Sequence, residues 1–300
     1  MGANVCLSDV MFLPYLKDLP QQYFQSYFIG IGVGQALPMV LAITQGAATY
    51  DCVPKNATDP DSPLEPVFTS RFGVEVYYSV VFVFYAIGIL SFVLLSIKKK
   101  NLKKDGSIKS TTRVTKKDCD LPAFQFKSRQ DVMLVLMNMT MCAQLYVFVP
   151  SITPYAVLPY SKETYYYTNI LSCLCGPLGA LMARAMPTRD IKKVFLWYLV
   201  VISLSSFNVL LAFQSPKPIL VGTFVGSVMI VSCQCLMWLI GFYVYSMLIE
   251  IVRETAPAEH ITERRLIYSG LISQLGSFIG TVTVFVSVNM LELFKEVPPC

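Results

Sequence analysis

Seven stretches of this chain run for about twenty residues with almost no charged side chain, and no other feature limits the fold as much. They are roughly Tyr23–Thr44, Val76–Ile97, Val132–Pro150, Tyr165–Met186, Ile191–Ala212, Ile219–Ile249 and Leu266–Leu293. About 20 apolar residues of helix cross a hydrocarbon layer roughly 30 Å thick, where every backbone group must find its hydrogen bond inside the protein. The chain is 54% hydrophobic and only 14% charged, whereas soluble domains carry about 25% charged residues. The expected fold is therefore an all-α, polytopic membrane bundle of seven transmembrane helices. The sixth stretch is long enough to tilt or to extend past the membrane.

Lysine and arginine set the expected orientation. The segment 98–131 carries eleven of them, from Lys98 to Arg129, and 184–193 adds Arg184, Arg189, Lys192 and Lys193. Arg253, Arg264 and Arg265 lie in 250–265. The alternate loops hold only Lys55 and Arg71, then Lys162, Lys217 and Lys295. With seven spans all the basic loops fall on one side, which places the N-terminus in the cytoplasm and the C-terminus outside. The expected organisation is a cytoplasmic segment 1–22 and two helices in 23–97 joined by an extracellular loop 48–74. A basic cytoplasmic loop 98–131, a five-helix bundle 132–293 and an extracellular tail 294–300 follow. The loop 48–74, rich in Pro, Asp and Thr, reads as irregular. Asn56-Ala57-Thr58 is a glycosylation sequon on the side that charge assigns to the exterior. Asn138-Met139-Thr140 also matches but lies inside a span. The first twenty residues lack a basic start and a continuous apolar run, so the first span is expected to act as the insertion signal.

Several function classes are disfavoured. The net charge of +5 is explained by basic loops beside membrane spans, and no nucleic-acid-binding signature accompanies it. Nine cysteines and one histidine, His260, show no zinc spacing. No metal site or cofactor is expected. Cys52 and Cys300 share the outer side and could form a disulfide. No catalytic triad, zinc-protease motif or intramembrane carboxylate pair is visible, so an enzyme is not expected. No Asp, Glu, Lys or Arg occupies a span centre, as an ion channel or proton pump often requires.

The spans carry neutral polar stripes instead. Polar groups in a span turn toward other helices or a wet cavity, because lipid cannot satisfy them. Gly270, Gln274, Ser277 and Thr281 mark one face of the last span, and Ser273, Gly276, Gly280, Thr283 and Ser287 another. The sixth span aligns Thr223, Ser227, Gln234, Trp238, Gly241 and Tyr245. The fourth aligns Asn169, Ser172, Cys173 and Gly176, the third has Asn138 and Gln144, and the first Gln35, Pro38 and Gln45 with Gly30 and Gly34 on another side. Taken singly, each amide reads as glue between helices, contributing about 0.6–2 kcal/mol. Taken together they describe an uncharged cavity, lined by the first, third, fourth, sixth and seventh spans. Such walls suit a neutral polar solute with a flat ring, which amides read by hydrogen bonds and Trp or Tyr by stacking.

Three blocks carry a resemblance to a known family. They are FLPYLKDLPQQYFQSYFIGIGVGQALPMVLAITQG (12–46), VLPYSKETYYYTNILSCLCGPLGALMA (157–183) and LIYSGLISQLGSFIGTVTVFVSVNMLELF (266–294). In this order they resemble the animal riboflavin transporters of the solute-carrier class. The resemblance implies eleven spans, of which these seven match the last, in an architecture like the major-facilitator and nucleoside transporters. It implies riboflavin as the transported substrate, taken up across the plasma membrane. It extends to Gln35, Pro38, Gln45, Tyr160, Pro177 and Gln274 as matched positions, whereas Gly176 stands where the family's motif has Asn. Gln35, Pro38, Gln45, Asn138, Gln144, Tyr160, Asn169, Gln234, Trp238, Gln274 and Ser277 are the candidate substrate-binding residues. The rival readings are a non-transporting fragment that pairs with a full-length relative, and a seven-span receptor. The receptor would need the opposite orientation.

Overall fold

Each apolar stretch forms the body of a helix in the computed structural model, which describes residues 10–17, 19, 21–46, 50–54, 64–104, 124, 128–256 and 259–295. The helices are α1 (Gln21–Gln45), α2 (Val74–Lys104), α3 (Arg129–Ala143), α4 (Val149–Val157), α5 (Lys162–Ala185), α6 (Ile191–Phe213), α7 (Phe224–Glu254) and α8 (Glu259–Phe285). α3 and α4 are two halves of one rod, joined by a π-helical turn at Gln144–Phe148. Pro150 has no N–H to offer the Tyr146 carbonyl four residues back, and its ring crowds that carbonyl, so the winding slackens there. A second π turn, Val286–Met290, ends α8.

Among the described residues, six helices are long and apolar enough to cross a membrane: Tyr23–Gln45, Val74–Asn101, Arg129–Val157, Ile191–Phe213, Phe224–Glu254 and Ile261–Met290. α5 is not among them. Its 24 residues include Lys162, Glu163 and Arg184 at the ends and a polar side between them. At the sixth stretch both sequence-based boundaries move toward the C-terminus. Pro216, Pro218 and Gly222, with Leu220 and Gly222 at positive φ, hold a turn, and α7 begins only at Phe224. Thr223 caps it, its Oγ1 accepting from the Gly226 N–H at 3.1 Å. At the other end α7 runs to Glu254, 31 residues in all, which is longer than a hydrocarbon layer requires of an upright helix.

The loop 48–74 is not wholly irregular. Tyr50–Pro54 (β1) pairs antiparallel with Leu64–Phe68 (β2), Cys52 opposite Pro66. Val53 and Val67 bring β-forming side chains to the ribbon, and a two-stranded edge tolerates its prolines.

α7 is the central post, buried on all sides from Ile240 to Val252. α5 and α6 pack along it, α1 lies against α5, and α3 lies against α8. α2 touches chiefly α1, and its apolar side chains, such as Phe82, Tyr85 and Ile89, face outward. Close approach comes from small residues, because lipid tails give no hydrophobic drive between helices. A Cβ at Gly179 would sit 2.2 Å from the Leu239 carbonyl oxygen, and one at Gly276 would sit 2.1 Å from that of Met139. In α1 the close position is Gly32, against Pro177, whereas Gly30 and Gly34 meet nothing within 4 Å. Gly30 and Gly34 therefore lie on the open side of α1.

One end of the bundle gathers the basic loops. Arg265 donates to Asp131 Oδ1 at 2.5 Å and to the Thr255 carbonyl at 3.0 Å, with its guanidinium over the Phe124 ring. Arg253 donates to the carbonyls of Lys17 and Leu19 and covers Phe24, and Lys17 pairs with Glu263. Lys99 donates to the Tyr15 carbonyl at 2.6 Å. These contacts fold the segment before α1 over the ends of α7 and α8. Gln25, at the membrane edge by sequence, is buried and donates to Glu250 at 3.5 Å.

Candidate functional site

Between α1, the α3–α4 rod, α5 and α7 lies a cavity of about 390 Å³. α1 supplies Gln35 and Met39, and the rod supplies Leu145, Tyr146, Pro150 and Thr153. α5 supplies Tyr165, Thr168, Asn169, Ser172, Cys173 and Gly176, and α7 supplies Gln234 and Trp238. No Asp, Glu, Lys, Arg or His is among these lining residues. The volume lies within the roughly 300–1000 Å³ usual for small-molecule sites.

Local helix chemistry positions the polar groups. Thr153 Oγ1 donates to the Val149 carbonyl at 2.6 Å, Thr168 Oγ1 to Thr164 at 2.7 Å and Asn169 Nδ2 to Tyr165 at 2.9 Å. Each bond runs four residues back along its own helix, so each group is oriented without help from a neighbour. Gln234 is different. It is 1% exposed, and its Nε2 reaches Asn208 Oδ1 on α6 at 3.1 Å. Among the described residues the Oε1 of Gln234 is buried with no hydrogen-bond partner. Trp238 stacks on Phe242, ring centroids 5.8 Å apart, and follows Gln234 by one helical turn.

Of the candidate residues, Gln35, Asn169, Gln234 and Trp238 meet in this cavity. The others lie elsewhere. Gln45 donates to the Phe72 carbonyl at 3.0 Å and ties the end of α1 to the start of α2. Pro38 sits inside an unbroken α1, its carbonyl accepting from Tyr77 at 3.3 Å. Asn138 is buried and bridges α3 to α8, donating to the Ser269 carbonyl and hydroxyl and accepting from Ser273. Gln144 belongs to the π turn, its Oε1 buried and without a partner among the described residues, and it is not one of the lining residues. Tyr160 donates to the Ile219 carbonyl at 2.7 Å and closes a loop, with burial pushing its phenol pKa upward. Gln274 and Ser277 are half-buried on α8, which contributes nothing to the lining. Thus four of the five expected spans form the wall, and the seventh does not.

Tyr146, Thr153, Tyr165 and Thr168 were not singled out from sequence. Their back-bonded hydroxyls and π-turn placement leave no spacing signature. Asn56 and Cys300 lie outside the described residues. Cys52 is disulfide-bonded, whereas Cys173, Cys175, Cys233 and Cys235 are free thiols. Among the described residues no cluster of His, Cys, Asp or Glu could hold a metal ion.

The model of the solute carrier family 52 riboflavin transporters matches residues 1–296. The chain belongs to that family. It is 27% identical to solute carrier family 52, riboflavin transporter, member 3-A of Danio rerio, over 98% of this chain and 72% of that protein. It is 26% identical to member 3 of Homo sapiens and 23% identical to riboflavin transporter rft-2 of Caenorhabditis elegans, covering 98% of this chain and 73% of each. No solved structure matches. Within this family of transporters, the chain is a multi-pass membrane protein and not an enzyme.

Asn138 separates glue from recognition. Asn138→Leu should lower the thermal stability of the detergent-solubilised protein by the equivalent of about 1 kcal/mol. Ligand affinity should be unchanged, measured by titration below the melting transition.

Proposed function

We propose that this chain carries riboflavin across the plasma membrane into the cell. The observation that carries the reading is the uncharged cavity. It sets three amides, Gln35, Asn169 and Gln234, beside Trp238, Tyr146 and Tyr165 in a wall without ions. A flat tricycle with donors, acceptors and a polyhydroxyl chain needs stacking faces and neutral hydrogen-bonding groups. Riboflavin is the moved substrate, and no cofactor takes part.

In this reading α5 is a seventh span, supported by its place between α1 and α7 inside the helical layer. The N-terminus is cytoplasmic and the C-terminus extracellular, supported by the arginines and lysines gathered at one end. Asn56 carries a glycan and Cys52 pairs with Cys300, both on the outer side. The bundle forms part of a major-facilitator-like architecture, and it works alone or by pairing with a second copy or a longer relative.

Labelled riboflavin uptake tests the proposal in cells that express the chain at a surface level verified by biotinylation. Saturable uptake above vector control is expected, and Trp238→Ala should reduce it about fivefold or more by removing a stacking face. Background uptake at confirmed surface density would refute transport by this chain. Loss of a glycosidase-sensitive mobility shift in Asn56→Gln would fix the outer loop.

A further inference from the structure

We propose that Asn208, on the helix behind the cavity, fixes the orientation of the Gln234 amide, so that the site demands a hydrogen-bond donor from its ligand. This rests on the riboflavin reading and names the contact that would enforce it. Asn208 is 3% exposed and is not among the lining residues.

Two backbone carbonyls set the direction of the whole relay. Asn208 Nδ2 donates to the Leu204 carbonyl at 3.0 Å and lies 3.6 Å from Cys233 Sγ. A carbonyl oxygen can only accept, so the nitrogen of Asn208 faces it and Oδ1 turns toward α7. Gln234 Nε2 donates to that Oδ1 at 3.1 Å. Thr153 spends its only proton on the Val149 carbonyl and offers Gln234 Nε2 a lone pair at 3.4 Å. Both hydrogens of the Gln234 amide are thus directed at acceptors, one on α6 and one on α4. A flipped amide would set oxygen against oxygen at both places. What Gln234 has left is Oε1, buried and without a partner among the described residues.

An unsatisfied buried acceptor is costly, and a ligand that satisfies it gains selectivity as well as affinity. The tricyclic head of riboflavin has one N–H, the imide between its two carbonyls. The ribityl chain also offers hydroxyls, but Trp238 lies one turn from Gln234 on the same face of α7. The acceptor and the stacking surface are therefore adjacent, and the geometry assigns Gln234 to the imide N–H of a stacked head. Asn208 acts as a positioning residue, through Gln234.

Fluorescence titration of the purified full chain tests this with three probes: riboflavin, its imide N-methyl derivative, and a homologue with one ring methyl extended to ethyl. The N-methyl derivative should bind about tenfold or more weakly than riboflavin, and the ethyl homologue, which adds the same bulk but keeps the N–H, within about threefold. Asn208→Leu should bring the N-methyl discrimination to within about threefold, and Asn208→Asp, which keeps an acceptor toward Gln234, should retain it. Equal binding of riboflavin and the N-methyl derivative by the unaltered chain would overturn the proposal and leave the riboflavin reading standing. Unchanged discrimination in a folded Asn208→Leu would overturn the positioning role. Binding of none of the three would sink the riboflavin reading and this inference with it. If Asn208→Leu does not fold, Asn208→Ala takes its place, and unchanged discrimination in it would equally overturn the positioning role.

Discussion

Gly179→Leu will not give a folded bundle. The added Cβ would stand 2.2 Å from the Leu239 carbonyl oxygen and 3.0 Å from the Phe242 Cβ. The obstacle is backbone, which cannot swing aside as a side-chain tip would, so α5 and α7 must part. These two helices pack along one another, and the cavity lies against their contact. Overpacking a core usually costs about 1–3 kcal/mol when side chains yield, and here nothing yields but the helix pair itself. Gly276→Leu should do the same between α8 and α3, where the Met139 carbonyl stands 2.1 Å from the new Cβ. Gly30→Ala is the control, since nothing lies within 4 Å, and it should be neutral or add up to about 1 kcal/mol through helix propensity. Size-exclusion profiles of fluorescently tagged variants check all three. A monodisperse Gly179→Leu peak at the position of the unaltered protein would show that the α5–α7 contact gives way.

Arg265→Met should cost about 3–5 kcal/mol, because it strips the arginine from a carboxylate held in a sheltered site. The side chains of Arg265 and Asp131 are 3% and 13% exposed. The same guanidinium bonds the Thr255 carbonyl and covers Phe124, so the substitution also loosens the α7–α8 connection. Asp131→Asn should be milder, since an amide oxygen still accepts from Arg265. The double variant Asp131→Leu with Arg265→Met should recover much of the loss, as apolar replacement of a whole buried pair often does. Thermal melts of the solubilised protein rank the three, and a double variant no better than Arg265→Met would refute this account. Arg189–Glu254, exposed on the arginine side at 77%, should contribute little by comparison.

The helices were legible because hydrocarbon thickness and charge exclusion leave a long, plain signal. Interhelical contact was partly legible. The Ser273, Gly276 and Gly280 face of α8 packs on α3 as its small residues suggest. The neighbouring Gln274 is turned by about 100° and ends half-buried, because spacing defines a face but not which helix it meets. Gln234 and Trp238 were found because an amide and an indole one turn apart stand out on an apolar helix. Asn208 was overlooked, although a lone amide near Ser205 on the fifth span gave the same kind of signal. Its importance comes from Leu204 and Gln234, one on its own helix and one on another, and only coordinates join them. Asn169 and Asn138 looked alike in sequence. One lines the cavity and the other stitches two helices together.

The slack turn at Gln144–Phe148 divides a single rod into a lower half, whose Asn138 is stitched to α8, and an upper half that faces the cavity. Shedding its one surplus residue would swivel the upper half about 100° around its own axis. Thr153 would leave Gln234, and Pro150 would sweep across the wall. The turn therefore sets the rotation of the upper half, and with it which of its side chains meet the cavity.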